Sequence, residues 1–195
     1  MARRLSDAIP RAVIDSNVIF SRVLHELLGR VGASLRLLDL IWSEELLAES
    51  ERVLLEEKPL TAAAATRWVG YLRESFPEGR IDLTILDPSL ELTSLSADPA
   101  DRHVCALAIA GSASYLFTFD RGYLRDALAA HGVEVASPDA FLAQAIDEEP
   151  TGFEALIEEQ ARHWAGGQPV DELLAAFERA NVPIFTGKAR QLLGS

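Results

Sequence analysis

The sequence predicts an α/β fold: an open, mostly parallel β-sheet with helices on both faces, followed by a C-terminal helical extension. Three observations predict it. Short apolar runs, typical of buried parallel strands, alternate with segments of helical periodicity. Serine, threonine and aspartate stand where several helices are expected to begin, and these residues are favoured helix caps. After residue 147 the strand pattern ends and only helical segments follow.

Three apolar runs are predicted to form the central strands. Arg11–Asp15 carries Asp15 at its carboxyl end, and Ser114–Asp120 ends in a second aspartate. Residues 133–135 form a short third strand. Because ligands of open α/β sheets gather beyond the carboxyl ends of the strands, both terminal aspartates are candidates for a functional site.

Two other segments are less distinctive. The alternation of apolar and polar residues over 81–86 predicts a further strand. Residues 37–42 are apolar enough for a strand but equally fit the end of a helix, and periodicity does not decide between them.

The predicted helix starts rest on cap residues. Ser43, Thr61 and Ser137 are each N-cap candidates. The segment Asp98–Asp101 combines a cap residue, a proline in the first turn and an acid three residues after the cap. Thr151–Glu154 has the pattern of a capping box, which predicts another helix start.

The chain is predicted to comprise a domain over residues 1–146 and an acidic helical extension over 147–195, interrupted by the spacer Gly166–Pro169. The extension holds nine acidic and four basic residues, so it carries −5 of the formal net charge of −12. It is therefore not a basic arm for binding nucleic acid.

Composition excludes several classes of protein. Eighteen basic residues against thirty acidic ones rule out a broadly basic nucleic-acid-binding surface. The single cysteine, Cys105, rules out a disulfide framework and a four-cysteine zinc site. No apolar run reaches the roughly 20 residues that span a bilayer. We expect a cytoplasmic protein that does not enter the membrane.

Four acidic residues are candidates for one metal site. Asp15 and Asp120 end strands, Asp101 lies in the first turn of the helix before the second of these strands, and Glu49 lies on the helix after residues 37–42. If they converge, either protons are shared among them or a divalent cation neutralises them, and their oxygen ligands suit Mg²⁺ or Mn²⁺ better than zinc. Structural roles stay open, since Asp101 could complete the Asp98 cap, Glu49 could belong to a solvated helix face and Asp120 could be an ordinary turn residue.

Four motifs follow one another along the chain: Val13–Val18, Trp42–Glu49, Asp98–Val104 and Phe117–Asp120. Taken in this order, they resemble those of PIN-domain proteins, and most of all the VapC-like ribonuclease toxins of bacterial toxin–antitoxin pairs. The resemblance covers roughly residues 10–145, and the helical tail looks like the extension of one subgroup. A departure is the segment Arg121-Gly122-Tyr123, where relatives often carry a different turn.

The resemblance implies a metal-dependent endoribonuclease that hydrolyses RNA phosphodiesters. It also implies a cognate antitoxin partner, and family members commonly form homodimers. The family's four acids fall on Asp15, Glu49, Asp101 and Asp120, and its supporting polar positions fall on Asn17 and Thr118.

Basic residues beside the proposed acids have two interpretations. Arg102 and Arg121 each follow a candidate metal ligand, so they could hold flanking phosphates through forked hydrogen bonds. They could equally form ion pairs with the acids or with other carboxylates. His103, on the Asp101 helix, is a possible proton donor or a structural histidine.

Two other kinds of function compete with the ribonuclease. One is a PIN-like binding module without turnover, acting through its acidic pocket or helical tail. The other is a phospho-acceptor domain of the receiver or haloacid-dehalogenase type, which also places aspartates around Mg²⁺. The second fits less well, because Asp15 is followed by Ser16-Asn17 and not by an acid two positions on.

Overall fold

A four-stranded parallel sheet forms the centre of the computed structural model, which describes residues 9–87, 89–164 and 169–194. Its strands are β1 (Arg11–Ile14), β2 (Asp39–Ile41), β3 (Tyr115–Phe117) and β4 (Glu134–Ala136). They lie in the order β2-β1-β3-β4, and all three pairings are parallel. The predicted parallel sheet is confirmed, and the ambiguous residues 37–42 contribute strand β2.

The sheet is covered on both faces. Ala12, Val13 and Ile14 of β1 are fully buried, as are Leu116 and Phe117 of β3. Because successive side chains of a strand point to opposite faces, burial of consecutive residues requires packing on both sides. This arrangement confirms the predicted α/β class.

Helices connect the strands and continue beyond the last one. Within the described ranges, the α-helices are α1 (Ser16–Ile19), α2 (Arg22–Ala33), α3 (Glu44–Glu57), α4 (Ala62–Ser75), α5 (Arg102–Ala110), α6 (Arg125–Ala130), α7 (Pro138–Glu148), α8 (Pro150–His163), α9 (Val170–Arg179) and α10 (Pro183–Leu193). Short 3₁₀ turns cover Pro77–Gly79, Leu83–Ile85, Leu92–Ser94 and Pro99–Asp101.

The predicted helix caps are largely confirmed. Side-chain oxygens of Ser43, Thr61 and Ser137 each accept the backbone amide three residues later, at 3.3, 3.2 and 3.3 Å. Asp98 caps the 3₁₀ turn that leads into α5, because its Oδ1 accepts the Ala100 amide at 2.8 Å. These bonds satisfy amides that have no partner within the helix itself.

Two local predictions are wrong. Residues 81–86 form no strand; Asp82 Oδ1 instead accepts the Thr84 amide at 3.0 Å and caps a 3₁₀ turn. Such a local side-chain bond competes with the ladder bonds of a sheet. Thr151 is not a helix cap, since α8 already begins at Pro150, a residue suited to the first position of a helix.

The C-terminal helices pack onto the same core as the sheet. Phe153, Phe177 and Phe185 are fully buried, and the ring of Phe185 lies 5.8 Å from that of Phe153 and 5.5 Å from that of Phe177. Except for Pro169, the predicted spacer Gly166–Pro169 lies outside the described residues. In the described ranges, no helix combines the length and apolar character that a membrane crossing requires.

Candidate metal centre

Asp15 lies at the carboxyl edge of the sheet, where β1 gives way to α1. Its amide donates to the Phe117 carbonyl at 3.0 Å and thereby continues the pairing with β3. Its Oδ1 accepts the Ser16 amide at 2.6 Å, so the carboxylate also caps α1. The residue is only 3% exposed. A carboxylate this buried requires hydrogen-bond donors.

Two polar side chains supply further donors to Asp15. Thr118 Oγ1 and Asn17 Nδ2 each donate to Asp15 Oδ2 at 2.7 Å. Thr118 Oγ1 in turn accepts from Asn17 Nδ2 at 2.9 Å and from the Asp120 amide at 3.0 Å. The Phe119 amide donates to Asn17 Oδ1 at 3.2 Å. This network ties the end of β1 to the segment that carries Asp120.

A short antiparallel contact brings Asp101 to the same edge. Ser96 and Tyr123 form an isolated bridge, flanked by a bond from the Leu124 amide to the Leu95 carbonyl at 2.9 Å. The segment before the Asp98 turn is thereby fixed against the segment after Asp120. This pairing brings together the segments that carry Asp101 and Asp120, which are far apart in the sequence.

Asp101 does not complete the Asp98 cap. The Asp98 amide instead donates a hydrogen bond to Ser96 Oγ at 3.2 Å. Ser96 Oγ in turn donates to Asp101 Oδ2 at 3.3 Å. Ser96 therefore takes the place that the sequence left open for Asp101. The Asp101 carboxylate is held at the site by this serine and not by the helix terminus.

Gly122 lies beside both Asp101 and Asp120. Its amide donates to Asp120 Oδ1 at 2.7 Å. A Cβ atom placed on Gly122 would lie 3.3 Å from Asp120 Oδ1 and 3.8 Å from Asp101 Oδ2. The two carboxylates therefore flank one backbone position.

Glu49 faces the site from α3. Its side chain is 20% exposed, and Oε2 lies 3.2 Å from His103 Nε2. The other ring nitrogen of His103 is 2.7 Å from the Ala100 carbonyl, which orients the imidazole. Glu49 is thus not part of a solvated helix face.

The acids influence one another electrostatically. Burial, together with the charges of Asp15 and Asp120, raises the pKa of Asp101 to about 6. Burial also raises the pKa of Asp15, against the lowering effect of hydrogen bonds from Thr118 and Ser16, while the charge of Glu49 adds to the rise. The four acids therefore form one electrostatic unit at this edge of the sheet.

His103 is the imidazole that lies beside Glu49 in this group. Burial opposes its protonation, but the Glu49 carboxylate and the Ala100 carbonyl outweigh burial and raise the pKa of His103. A protonated imidazole beside Glu49 offsets part of the negative charge.

The chemistry of these ligands fits a divalent cation, although their present spacing does not enclose one. All four acids offer only oxygen, as Mg²⁺ and Mn²⁺ prefer, and the repulsion that raises the pKa of Asp101 would be relieved by a cation. Among the residues that the structure describes, no three acidic, histidine or cysteine side chains lie close enough together to hold an ion. The carboxylates would have to draw together around one.

The two arginines beside these acids differ in exposure. Arg121 is exposed, whereas Arg102 is half-buried and its Nε is enclosed without a hydrogen-bond partner in the described part of the chain. Neither forms an ion pair with a carboxylate of the described residues. The interpretation of these two arginines as ion-pair partners is therefore not confirmed within the described residues.

Sequence reasoning missed two residues that shape the site. Ser96 is fully buried and links Asp98 to Asp101, yet nothing in its local sequence marks it. Tyr123 is 3% exposed, and its buried position beside Asp15 and Asp101 raises the pKa of its hydroxyl. The sequence feature that could have identified Tyr123 is the unusual Arg121-Gly122-Tyr123 turn, which places an aromatic ring directly after the Asp120 loop.

Comparison with known families gives one match. The PIN-domain family model matches residues 11–122, which include all four acids. No curated protein and no solved structure matches the chain.

Proposed function

Because the chain belongs to the PIN-domain family, whose members are generally nucleases, we propose that it is a metal-dependent endoribonuclease that hydrolyses RNA phosphodiesters. One observation carries the proposal. Asp101 and Asp120 flank Gly122 at the carboxyl edge of the sheet, and the Thr118 hydroxyl ties Asp15 to the Asp120 amide at the same edge. Burial, together with the charges of Asp15 and Asp120, raises the pKa of Asp101 to about 6. Uncompensated like charges are costly, so such a cluster favours a bound cation.

In this proposal Asp15, Asp101, Asp120 and Glu49 hold Mg²⁺ or Mn²⁺. PIN domains generally use divalent metals, and the oxygen-only set suits these two. When bound, such an ion supplies an acidified water and positive charge at the scissile phosphate.

The remaining residues position the acids and the substrate. Asn17 and Thr118 hold the Asp15 carboxylate through two bonds of 2.7 Å, and His103 orients Glu49 from 3.2 Å. Arg102 and Arg121 bind phosphates on either side of the cleaved bond. The unpartnered Nε of Arg102 supports this role, because a phosphate oxygen would satisfy it.

We further propose that the protein is the cytoplasmic toxin of a toxin–antitoxin pair. The formal charge of −12 supports a partner that inserts a cationic segment into the acidic site. The same charge repels bulk RNA, so the substrate must be met locally. A homodimer, with the helices after residue 147 as an extension of the nuclease domain, completes the proposed assembly.

The decisive experiment compares cleavage of RNA by the purified wild-type chain with that by Asp15→Asn. Mg²⁺-dependent cleavage should fall by at least about two orders of magnitude, because the variant loses a central ligand. Asp101→Asn should behave alike, and Asp147→Asn, an exposed acid on α7, serves as the control. Circular dichroism checks folding, because Asp15 also caps α1. Expression toxicity should disappear together with cleavage; undiminished cleavage by both site variants would refute the assignment.

One observation favours a second candidate, a PIN-like binding module without turnover. In the described residues no three potential ligands converge on one point, and each oxygen of Asp15 already accepts a hydrogen bond from the protein. A folded wild-type chain that binds RNA or a protein but shows no cleavage with Mg²⁺ or Mn²⁺ would establish this alternative.

A further inference from the structure

A separate cavity lies between α2 and α4. Its volume is about 390 Å³, within the range of ligand-binding pockets. Its lining is aromatic and basic, and includes Arg22, His25, Ala64, Arg67, Trp68 and Tyr71. None of these residues belongs to the candidate metal centre.

His25 leaves a polar atom without a partner in this cavity wall. The residue is 2% exposed, and its Nε2 is enclosed with no hydrogen-bond partner among the described residues. Its ring meets that of Tyr71 edge-on at 5.4 Å. Burial lowers the pKa of His25 to about 4, so the imidazole is neutral at neutral pH. Buried polar atoms are seldom left unpaired, which points to a ligand.

Basic side chains gather around the cavity although the protein as a whole is acidic. Arg67 is exposed and, within the described ranges, pairs with no carboxylate. Lys58, one of two lysines in the sequence, holds its Nζ 4.8 Å from the ring centre of Trp68. Arg22 lies 2.8 Å from Glu26, the one acid among the described residues that line the cavity. Two arginines thus line the cavity with one carboxylate, and Lys58 lies beside its Trp68.

The cavity wall is attached to the element that begins at the metal centre. Trp68 Nε1 donates to the Ile19 carbonyl at 2.9 Å. Ile19 is the last residue of α1, the four-residue helix capped by Asp15. At 1.5 Å per residue this helix is about 6 Å long, so one short helix separates the Asp15 cap from the residue that Trp68 contacts.

We propose that the cavity binds one nucleotide of single-stranded RNA next to the cleaved bond, with its base among His25, Trp68 and Tyr71. This inference rests on the proposed ribonuclease function. Flanking phosphates would contact Arg67 and Lys58. A base edge would supply the missing partner of His25 Nε2 once the side chains that enclose this atom move aside. Aromatic rings interleaved with cations are the pattern by which proteins bind single strands, and they favour RNA over a protein segment here.

Fluorescence anisotropy with a labelled single-stranded RNA of about 12 nucleotides tests the proposal. EDTA in the buffer prevents cleavage, so binding is measured alone. Arg67→Gln removes one cation, and Ala64→Leu fills part of the cavity from α4. Their matched controls are Arg179→Gln, an exposed arginine on α9, and Ala63→Leu, the exposed neighbour that does not line the cavity.

We expect both cavity variants to bind RNA about tenfold more weakly than their controls, which should match the wild type. Arg67→Gln should also reduce the salt dependence of binding by about one phosphate contact. Equal RNA affinity in all four variants would overturn the inference and leave the cavity to a protein partner.

This failure is distinguishable from failure of the ribonuclease proposal. Equal RNA binding by the cavity variants, with Mg²⁺-dependent cleavage lost only in Asp15→Asn, would refute the cavity assignment alone. Cavity-dependent binding without cleavage under any divalent ion would refute the ribonuclease and support the RNA-binding cavity.

Discussion

Thr118 donates a hydrogen bond of 2.7 Å to the buried carboxylate of Asp15, across the junction between the ends of β1 and β3. The same hydroxyl accepts the Asp120 amide at 3.0 Å. One side chain therefore fixes two of the proposed metal ligands relative to each other. Its position follows directly from the parallel pairing of the two strands, which sets Ile14 opposite Phe117.

Replacing Thr118 by valine should weaken both folding and cleavage. Valine preserves the branched shape but removes a donor from the buried Asp15, which costs about 1–3 kcal/mol of unfolding free energy. Misplacement of Asp15 should lower Mg²⁺-dependent cleavage about tenfold. Urea titration and RNA cleavage measure the two effects. Thr186→Val, which removes a buried hydroxyl from α10, is the control and should lose stability without losing cleavage.

Neutralising Asp101 should stabilise the protein in the absence of metal. Its raised folded-state pKa, about 6, means that the folded chain retains a proton that the unfolded chain releases near pH 4. This contribution to stability is complete below pH 4 and is lost as the pH rises through 6. Because Asp101 is partly exposed, screening limits the effect to about 1 kcal/mol.

Asp101→Asn should therefore unfold at a higher temperature than the wild type at pH 7.5 with EDTA. Added Mg²⁺ should raise the wild-type unfolding temperature, since a ligand of the folded state stabilises it. It should not raise that of the variant. A variant less stable than the wild type under EDTA would contradict the proposed repulsion among these acids.

The sequence predicted that Asp15 and Asp120 follow the ends of two strands, because these positions depend on simple rules. Asp15 and Asp120 follow apolar strands, and the carboxyl ends of parallel strands meet at one edge of a sheet. The prediction that Asp98 caps a helical turn was confirmed by its bond to the Ala100 amide. Local sequence patterns sufficed for these features.

Other features depend on side-chain hydrogen bonds and tertiary contacts that the apolar pattern does not encode. Residues 81–86 alternate like a strand, yet the Asp82 side chain turns the chain locally. Ser96, which donates to Asp101, lies in a segment that pairs with Tyr123, over twenty residues away. The cavity around His25 requires two helices to meet, and neither helix shows it alone.

His25 should make the folded state sensitive to acid. Its folded-state pKa, lowered by burial to about 4, lies below the ordinary value of 6.5. Between these two pH values His25 is protonated in the unfolded chain but neutral in the folded chain. The free energy of unfolding therefore falls as the pH falls. The loss between pH 7 and pH 5 is about 2 kcal/mol.

Comparison with His25→Phe isolates this effect, because phenylalanine keeps an aromatic ring against Tyr71 without a titrating group. Urea unfolding at the two pH values should show a smaller loss of stability in the variant than in the wild type. Equal losses in both proteins would mean that His25 is protonated in the folded state.

The attachment of the C-terminal helices should depend on Asp139. This buried residue of α7 accepts the backbone amides of Ile184 and Phe185 at 3.1 and 2.8 Å, and so satisfies the first turn of α10. Asp139→Ala leaves these amides without an acceptor and should cost about 2 kcal/mol of unfolding free energy.

The control is Asp147, which also lies on α7 and forms an exposed ion pair with Lys188 of α10. Asp147→Ala should cost less than about 1 kcal/mol. If urea titration gave equal losses for the two variants, α10 would be held by apolar packing and not by the Asp139 cap.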